Sequence, residues 1–336
     1  MNSNKIIRSI CYFSRTVDGV AATLSRLADN VQTKGFEVQA QRVCVPWQSA
    51  AILRQLDNSI LTSIGSVPFE RVGDHLETFY ARENLFFNLD LTSGLVRDEH
   101  AQLLFDIIAR NPSRTFNFTY VFNNVPSSPY FPSAHCAREG FAIGLQPTDL
   151  SEGCTTLDAW LEKVERVWQE LCGIFGDDPE FLGIDSSIAP FGNGKGSLVD
   201  FVRRLGMTFS ESVTTDLYLR ITNFIKNRDP KPVGLCGLMF PCLEDFELAA
   251  EYELGNFSIE RNVYLSLHSG LGVDTYPIGV DENPKRVLEI LSLLRGLAAK
   301  YDKPLSARFV SDGKAKIGEK TNFGSRYLKD VVVWKL

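Results

Sequence analysis

Short apolar runs of strand length recur along the whole chain, separated by longer stretches whose apolar residues keep a helical spacing. This alternation commits the chain to an α/β architecture. About ten runs read as strands: Lys5–Phe13, Phe36–Val45, Asn84–Leu91, Thr115–Phe122, Gly140–Leu145, Leu182–Ile188, Val233–Met239, Val263–Leu267, Leu305–Val310 and Val331–Trp334. Helices are expected over Val17–Lys34, Glu99–Arg110, Thr156–Phe175, Ser197–Leu205, Thr214–Lys226, Leu243–Leu254 and Pro284–Lys300. The last opens on Asn283–Pro284, a polar cap followed by a proline at the first helical position, and Leu288, Leu291 and Leu294 extend its apolar stripe. In Thr156–Phe175, Trp160, Leu161, Val164 and Trp168 keep helical spacing and read as core.

The 336 residues are 44% hydrophobic and 23% charged, enough for a large core. A closed α/β barrel absorbs this length as one unit, so a single domain over 1–336 is expected. A net charge of -6 provides no basic field for a nucleic-acid backbone or an anionic membrane surface. No apolar run approaches a membrane span. Seven cysteines, an odd number, are dispersed in mostly apolar surroundings and read as reduced thiols of a cytoplasmic protein.

Candidate chemistry concentrates in acidic, glycine-rich turns of the second half: Gly183-Ile184-Asp185-Ser186-Ser187, Gly237-Leu238-Met239-Phe240-Pro241-Cys242-Leu243-Glu244-Asp245, and His268-Ser269-Gly270-Leu271-Gly272-Val273-Asp274. Each follows an apolar run, the position from which an α/β sheet delivers polar groups to one face. Asp185, Glu244 and Asp274 are candidates for acid/base catalysis or for holding a divalent cation, with His268 an auxiliary proton carrier. Each carboxylate also has a structural reading as a cap or turn residue, and Glu244-Asp245 stands where a helix opens. Ser186 and Gly272 lie in the same turns and are candidate ligand contacts. Gly270-Leu271-Gly272 lacks the third glycine of a dinucleotide fingerprint. Arg8, Arg42 and Arg308 fall within or at the ends of predicted strands, where they either pair with the acidic turns or hold an anionic substrate. The adjacent His135 and Cys136 would point to opposite faces of a strand, which argues against their acting together. The Asn-, Ser- and Pro-rich loop Asn123–Pro132, with Tyr130 and Phe131 embedded in it, reads as the cover of a site.

With these motifs laid out, the chain resembles the family called domain of unknown function 711, or uncharacterised protein family 0210. The resemblance rests on Gly183–Pro190, Gly234–Asp245, Gly270–Ile278, Phe131-Pro132 and Lys303-Pro304-Leu305-Ser306-Ala307-Arg308. It implies a single closed barrel of about ten strands with surrounding helices, similar to that of the pyruvate formate-lyase-like glycyl radical enzymes. Their chemistry requires a glycine in a late Arg-Val-x-Gly-aromatic loop; here Arg308-Phe309-Val310-Ser311-Asp312-Gly313 leads into Lys314, which argues against a radical mechanism. The expectation is a cytoplasmic enzyme acting on a small polar or anionic metabolite at the barrel mouth. The alternative is a non-catalytic ligand-binding or homo-oligomeric assembly protein on the same barrel.

Overall fold

The computed structural model describes residues 5–55 and 59–336. One mixed sheet of ten strands organises the chain. The strands are β1 (Lys5–Phe13), β2 (Phe36–Val38), β3 (Gln41–Cys44), β4 (Leu61–Val67), β5 (Leu85–Asp90), β6 (Phe118–Phe122), β7 (Gly140–Leu145), β8 (Phe181–Asp185), β9 (Gly272–Pro277) and β10 (Leu305–Val310). Their order is β8-β7-β1-β3-β4-β5-β6-β10-β9, with β2 pairing off this path against β1. The central strands β1, β3, β4, β5 and β6 run parallel. β7 and β10 flank them antiparallel, and each carries a parallel outer neighbour, β8 and β9. Strands covered on both faces read as unbroken apolar runs, and β6 and β7 are buried at every residue.

The helices are α1 (Val20–Gln32), α2 (Phe69–Ala81), α3 (Asp98–Arg110), α4 (Leu157–Phe175), α5 (Leu198–Arg204), α6 (Phe209–Ser212), α7 (Leu217–Arg228), α8 (Phe246–Glu253), α9 (Ile259–His268) and α10 (Pro284–Tyr301). α4 starts where the Thr156 side chain accepts from the Ala159 amide, and it buries Trp160, Leu161, Val164 and Trp168. α10 starts on Asn283, whose side chain accepts from Lys285 N, and packs against α3, β6 and β10. No helix among the described residues is long and apolar enough to cross a membrane.

Three expected strands fall elsewhere. Val263–Leu267 lies inside α9: Ser258 caps the segment by accepting from Arg261 N, and a buried stripe of Ile259, Asn262, Leu265 and Ser266 follows. Val331–Trp334 makes only the isolated bridge Lys320↔Val332, outside the sheet. Val233–Met239 forms no ladder, but it occupies an informative place. β8 and β9 are the two edges of the sheet, and the segment 231–242 touches both through single bridges: Ile184↔Pro232 and Ile188↔Leu238 on one side, Leu238↔Gly270 and Pro241↔Asp274 on the other. Backbone hydrogen bonds mark both seams, Ile184 N to Lys231 O at 2.8 Å and Cys242 N to Asp274 O at 2.9 Å.

The seam at β8 depends on Gly183. Its φ is +146°, and a Cβ there would collide with the Lys231 carbonyl oxygen, a backbone atom that cannot swing aside. Gly183→Ala is therefore expected to destabilise the protein by about 2–3 kcal/mol in urea unfolding. A change under about 0.5 kcal/mol, the range of an inconsequential surface substitution, would show that residues 231–242 do not lie against β8.

Candidate functional site

Residues of several strands line a cavity of about 120 Å³ whose charged side chains are Arg8, Arg42, Glu244, Asp274 and Arg308. Arg42 and Arg308 project from β3 and β10. Arg8 and Asp274 are aimed by irregularities of their strands. β1 carries one extra residue against β7 between Ile7 and Ser9, which places Arg8 in a bulge. β9 gains a residue against β10 at Asp274-Thr275, where Thr275 takes φ +40°, a conformation β-branched residues rarely adopt. Bulges re-aim side chains, and these two deliver opposite charges to one cavity.

Arg308 is the hub. Its Nε donates to Asp274 Oδ1 at 2.7 Å and its Nη2 to Glu244 Oε2 at 2.6 Å. Glu244 also receives Arg8 Nη2 on Oε1 at 3.3 Å, while Arg8 Nη1 donates to Gln146 Oε1 at 2.9 Å. The Arg308 and Glu244 side chains are only 7% and 6% exposed, so water screens this pair little. Burial alone would lower the Arg308 pKa, but Asp274 and Glu244 outweigh it and hold the group above its ordinary value. Arg8 stands below its ordinary value because burial outweighs the pull of Glu244.

Arg42 differs from both. Burial, then the neighbouring Arg8 cation, push its pKa down to about 10. Its Nη1 donates to Pro129 O at 3.1 Å, its guanidinium lies 5.0 Å from the centre of the Phe131 ring, and its Nε is closed off from solvent with no partner. Among the described residues no carboxylate forms an ion pair with it. On the opposite sign, Asp274 is engaged only through Oδ1, and Oδ2 accepts no hydrogen bond among the described residues.

The remaining predicted residues are placed elsewhere. Asp185 is fully buried and absent from the cavity wall. Its carboxylate accepts from Ser187 N, Ser187 Oγ, Leu235 N and Cys236 N, which anchors the segment after Gly234. Ser186, beside it, is buried and also off the cavity wall. His268 ends α9, with Nδ1 2.8 Å from Ser269 Oγ and its ring edge-on to Tyr264; burial, then Lys303, lowers its pKa. Gly272 lines the cavity, and its φ of +106° lets β9 approach the backbone of Ser306. Asp245 is a helix cap, accepting from Leu248 N and Leu198 N. The three carboxylates suggested as cation ligands do not converge, because Arg308 sits between Glu244 and Asp274 while Asp185 is held apart. Among the described residues no three His, Cys, Asp or Glu side chains group as a metal site. Gly313 lies off the cavity wall, where a Cβ would collide with the Pro112 ring.

Two aromatic residues that sequence reasoning did not single out, and the loop that it read as the cover of a site, complete the wall. Phe86 and Phe116 form part of its apolar surface, and the loop over residues 123–133 supplies Asn124, Tyr130, Phe131, Pro132 and Ser133. Side chains from the sheet grip this loop by its carbonyls: Ser9 Oγ on Pro129 O at 2.9 Å, and Asn88 Nδ2 on Pro132 O and Ala134 O at 2.9 and 3.0 Å. Beyond it, His135 and Cys136 line a second, outer pocket with Arg15 and Trp47. They are not on a strand, so the opposite-face argument does not apply to them; the Cys136 thiol is nevertheless pushed up to about 11 by burial and stays protonated at neutral pH.

Comparison with solved structures yields matches of low similarity. An anaerobic ribonucleotide reductase aligns over 91% of this chain and 70% of its own, at 9% identity and a TM-score of 0.30. The anaerobic ribonucleotide reductase of Thermotoga maritima, solved with MES in its active site, aligns over 96% and 79%, at 10% identity and a TM-score of 0.30. No curated protein matches the chain in sequence. The family model described as "Uncharacterised ACR (DUF711)" matches residues 99–325, more than half of the chain, and the protein belongs to that family.

Proposed function

We propose that this protein is an enzyme that binds a small organic anion in the interior cavity and performs proton transfer on it. The observation that carries the reading is Arg42, a cation lining the cavity with a closed-off Nε and no carboxylate partner among the described residues. Arg42 is half-buried, and withdrawing a guanidinium from water without a carboxylate partner is unfavourable, a cost that a ligand carboxylate would offset. Asp274 is the proton acceptor in this reading: Arg308 fixes the carboxylate through Oδ1 and leaves Oδ2 for the ligand. The cavity is smaller than the roughly 300–1,000 Å³ common for drug-sized ligands, which favours a molecule of a few heavy atoms. We also propose that the segment 231–242 completes the wall between β8 and β9, making a closed barrel around the site. In such a barrel the charged residues would lie within the barrel rather than at its mouth.

The test is calorimetric titration of small carboxylates into the protein and into Arg42→Met. Loss of a charge-assisted, bidentate partner is expected to weaken binding by at least about ten-fold while the fold persists. Equal affinity in the two proteins would reject Arg42 as the anion clamp.

A further inference from the structure

We infer that the cavity is matched to a single negative charge, so that its ligand is a small monocarboxylate rather than a dicarboxylate, a phosphate dianion or a neutral amide. This rests on the anion-binding reading above and adds a charge rule to it.

The ionisable groups facing the cavity are Arg8 on β1, Arg42 on β3, Arg308 on β10, Asp274 on β9, Glu244 ahead of α8 and Tyr130 on the covering loop, while β4, β5 and β6 contribute only uncharged residues. Burial raises the Tyr130 phenol far above its ordinary range, and it remains neutral. Cys11, an electrostatic neighbour of Arg42, is likewise driven up by burial and carries no charge. Asp185, behind Tyr130, does not line the wall, and its carboxylate is held by four donors outside the cavity. Three guanidinium cations against two carboxylates leave one unit of positive charge on the wall.

Enclosure makes that unit selective. In an exposed cleft, dissolved ions would even out a mismatch of one charge; around the Arg308–Glu244 pair, 7% and 6% exposed, they are largely held out, and each uncompensated charge is felt at a lower effective dielectric. A monoanion brings ligand and wall to neutrality. A dianion leaves an excess negative charge beside Glu244 and Asp274, and a neutral ligand leaves Arg42 unpaired. The apolar surfaces of Phe86, Phe116 and Phe131 suit the uncharged remainder of such a molecule.

Three-carbon probes of similar size separate the charges: propionate, propionamide and malonate, titrated calorimetrically at neutral pH. The wild-type protein is expected to bind propionate at least ten-fold more tightly than either of the others. Folded Asp274→Asn, which raises the wall by one positive unit, is expected to reverse the order of propionate and malonate. Malonate binding the wild type as tightly as propionate overturns the charge rule while leaving the anion site standing, and so does an unchanged preference in the folded variant. Absence of binding by both acids, to wild type and Arg42→Met alike, overturns the anion-binding reading itself. Should Asp274→Asn fail to fold, the wild-type series decides alone.

Discussion

Replacing Arg308 by Met is expected to destabilise the protein by about 3–5 kcal/mol, the largest loss anticipated from any single charge on the chain. Arg308 holds Glu244 and Asp274 at 2.6 and 2.7 Å in a space that solvent barely reaches. Its removal leaves Asp274 with no cation and Glu244 with only the longer contact to Arg8. The surface supplies an internal control. Arg110 meets Glu77 through both guanidinium nitrogens, at 2.6 and 2.7 Å, but that pair is exposed. Arg110→Ala is therefore expected to leave stability almost unchanged despite its equally good geometry. Urea unfolding of both variants compares them directly. A loss below about 1 kcal/mol for Arg308→Met would mean that the cavity is wet enough to solvate two carboxylates, and the low-dielectric argument would fail with it.

Asp274→Asn is expected to reduce turnover by about 10²–10⁴-fold, the range for removal of a general base. Affinity for a monocarboxylate should be retained or raised, because the substitution removes a negative charge from the wall. That separation distinguishes the role of Asp274 from that of Arg42, whose loss should weaken binding first. A panel of small monocarboxylates incubated in deuterium oxide provides the assay, with proton exchange followed by NMR. Exchange that persists unchanged in Asp274→Asn would remove Asp274 as the base. Tight binding with no exchange or other conversion in the wild type would favour a ligand-binding protein without turnover.

Much of the fold was legible because local signals agree with tertiary packing. α10 is announced by Asn283-Pro284 and α4 by Thr156, and in both the apolar stripe that suggests a helix is the face that becomes buried. β4 was not legible. Thr62, Ser63, Gly65 and Ser66 interrupt its apolar pattern, and Thr62 and Ser63 are fully buried because local acceptors and donors satisfy them, Thr62 Oγ1 on Ile60 O and Ser63 Oγ on Gly65 N. α2 offers little signal because only Val72 and Phe79 are buried along it. Val263-Tyr264-Leu265 has the residue types of a strand, but the Ser258 cap and the packing of Leu265 override that preference.

The site divides in the same way. Residue types were readable: arginines within predicted strands and carboxylates after apolar runs. Their destinations were not, because the deciding interactions come from distant residues. Asp185 and Asp274 look alike in sequence, but amides of Leu235 and Cys236 capture the first, whereas a bulge turns the second towards Arg308. Arg8 owes its direction to another bulge, which breaks the two-residue period on which strand-face assignments depend. The covering loop was recognisable from its composition, but the cavity beneath it emerges only when Asn88, Ser9 and Arg42 hold its carbonyls.

The most direct test of a cavity that awaits one anion is a crystal structure of the protein grown with propionate. The account predicts density for the carboxylate within hydrogen-bond distance of Arg42, with Arg308 still joined to Glu244 and Asp274. Ordered water alone in the cavity, with Arg42 turned to pair with Glu244 or Asp274, would contradict it.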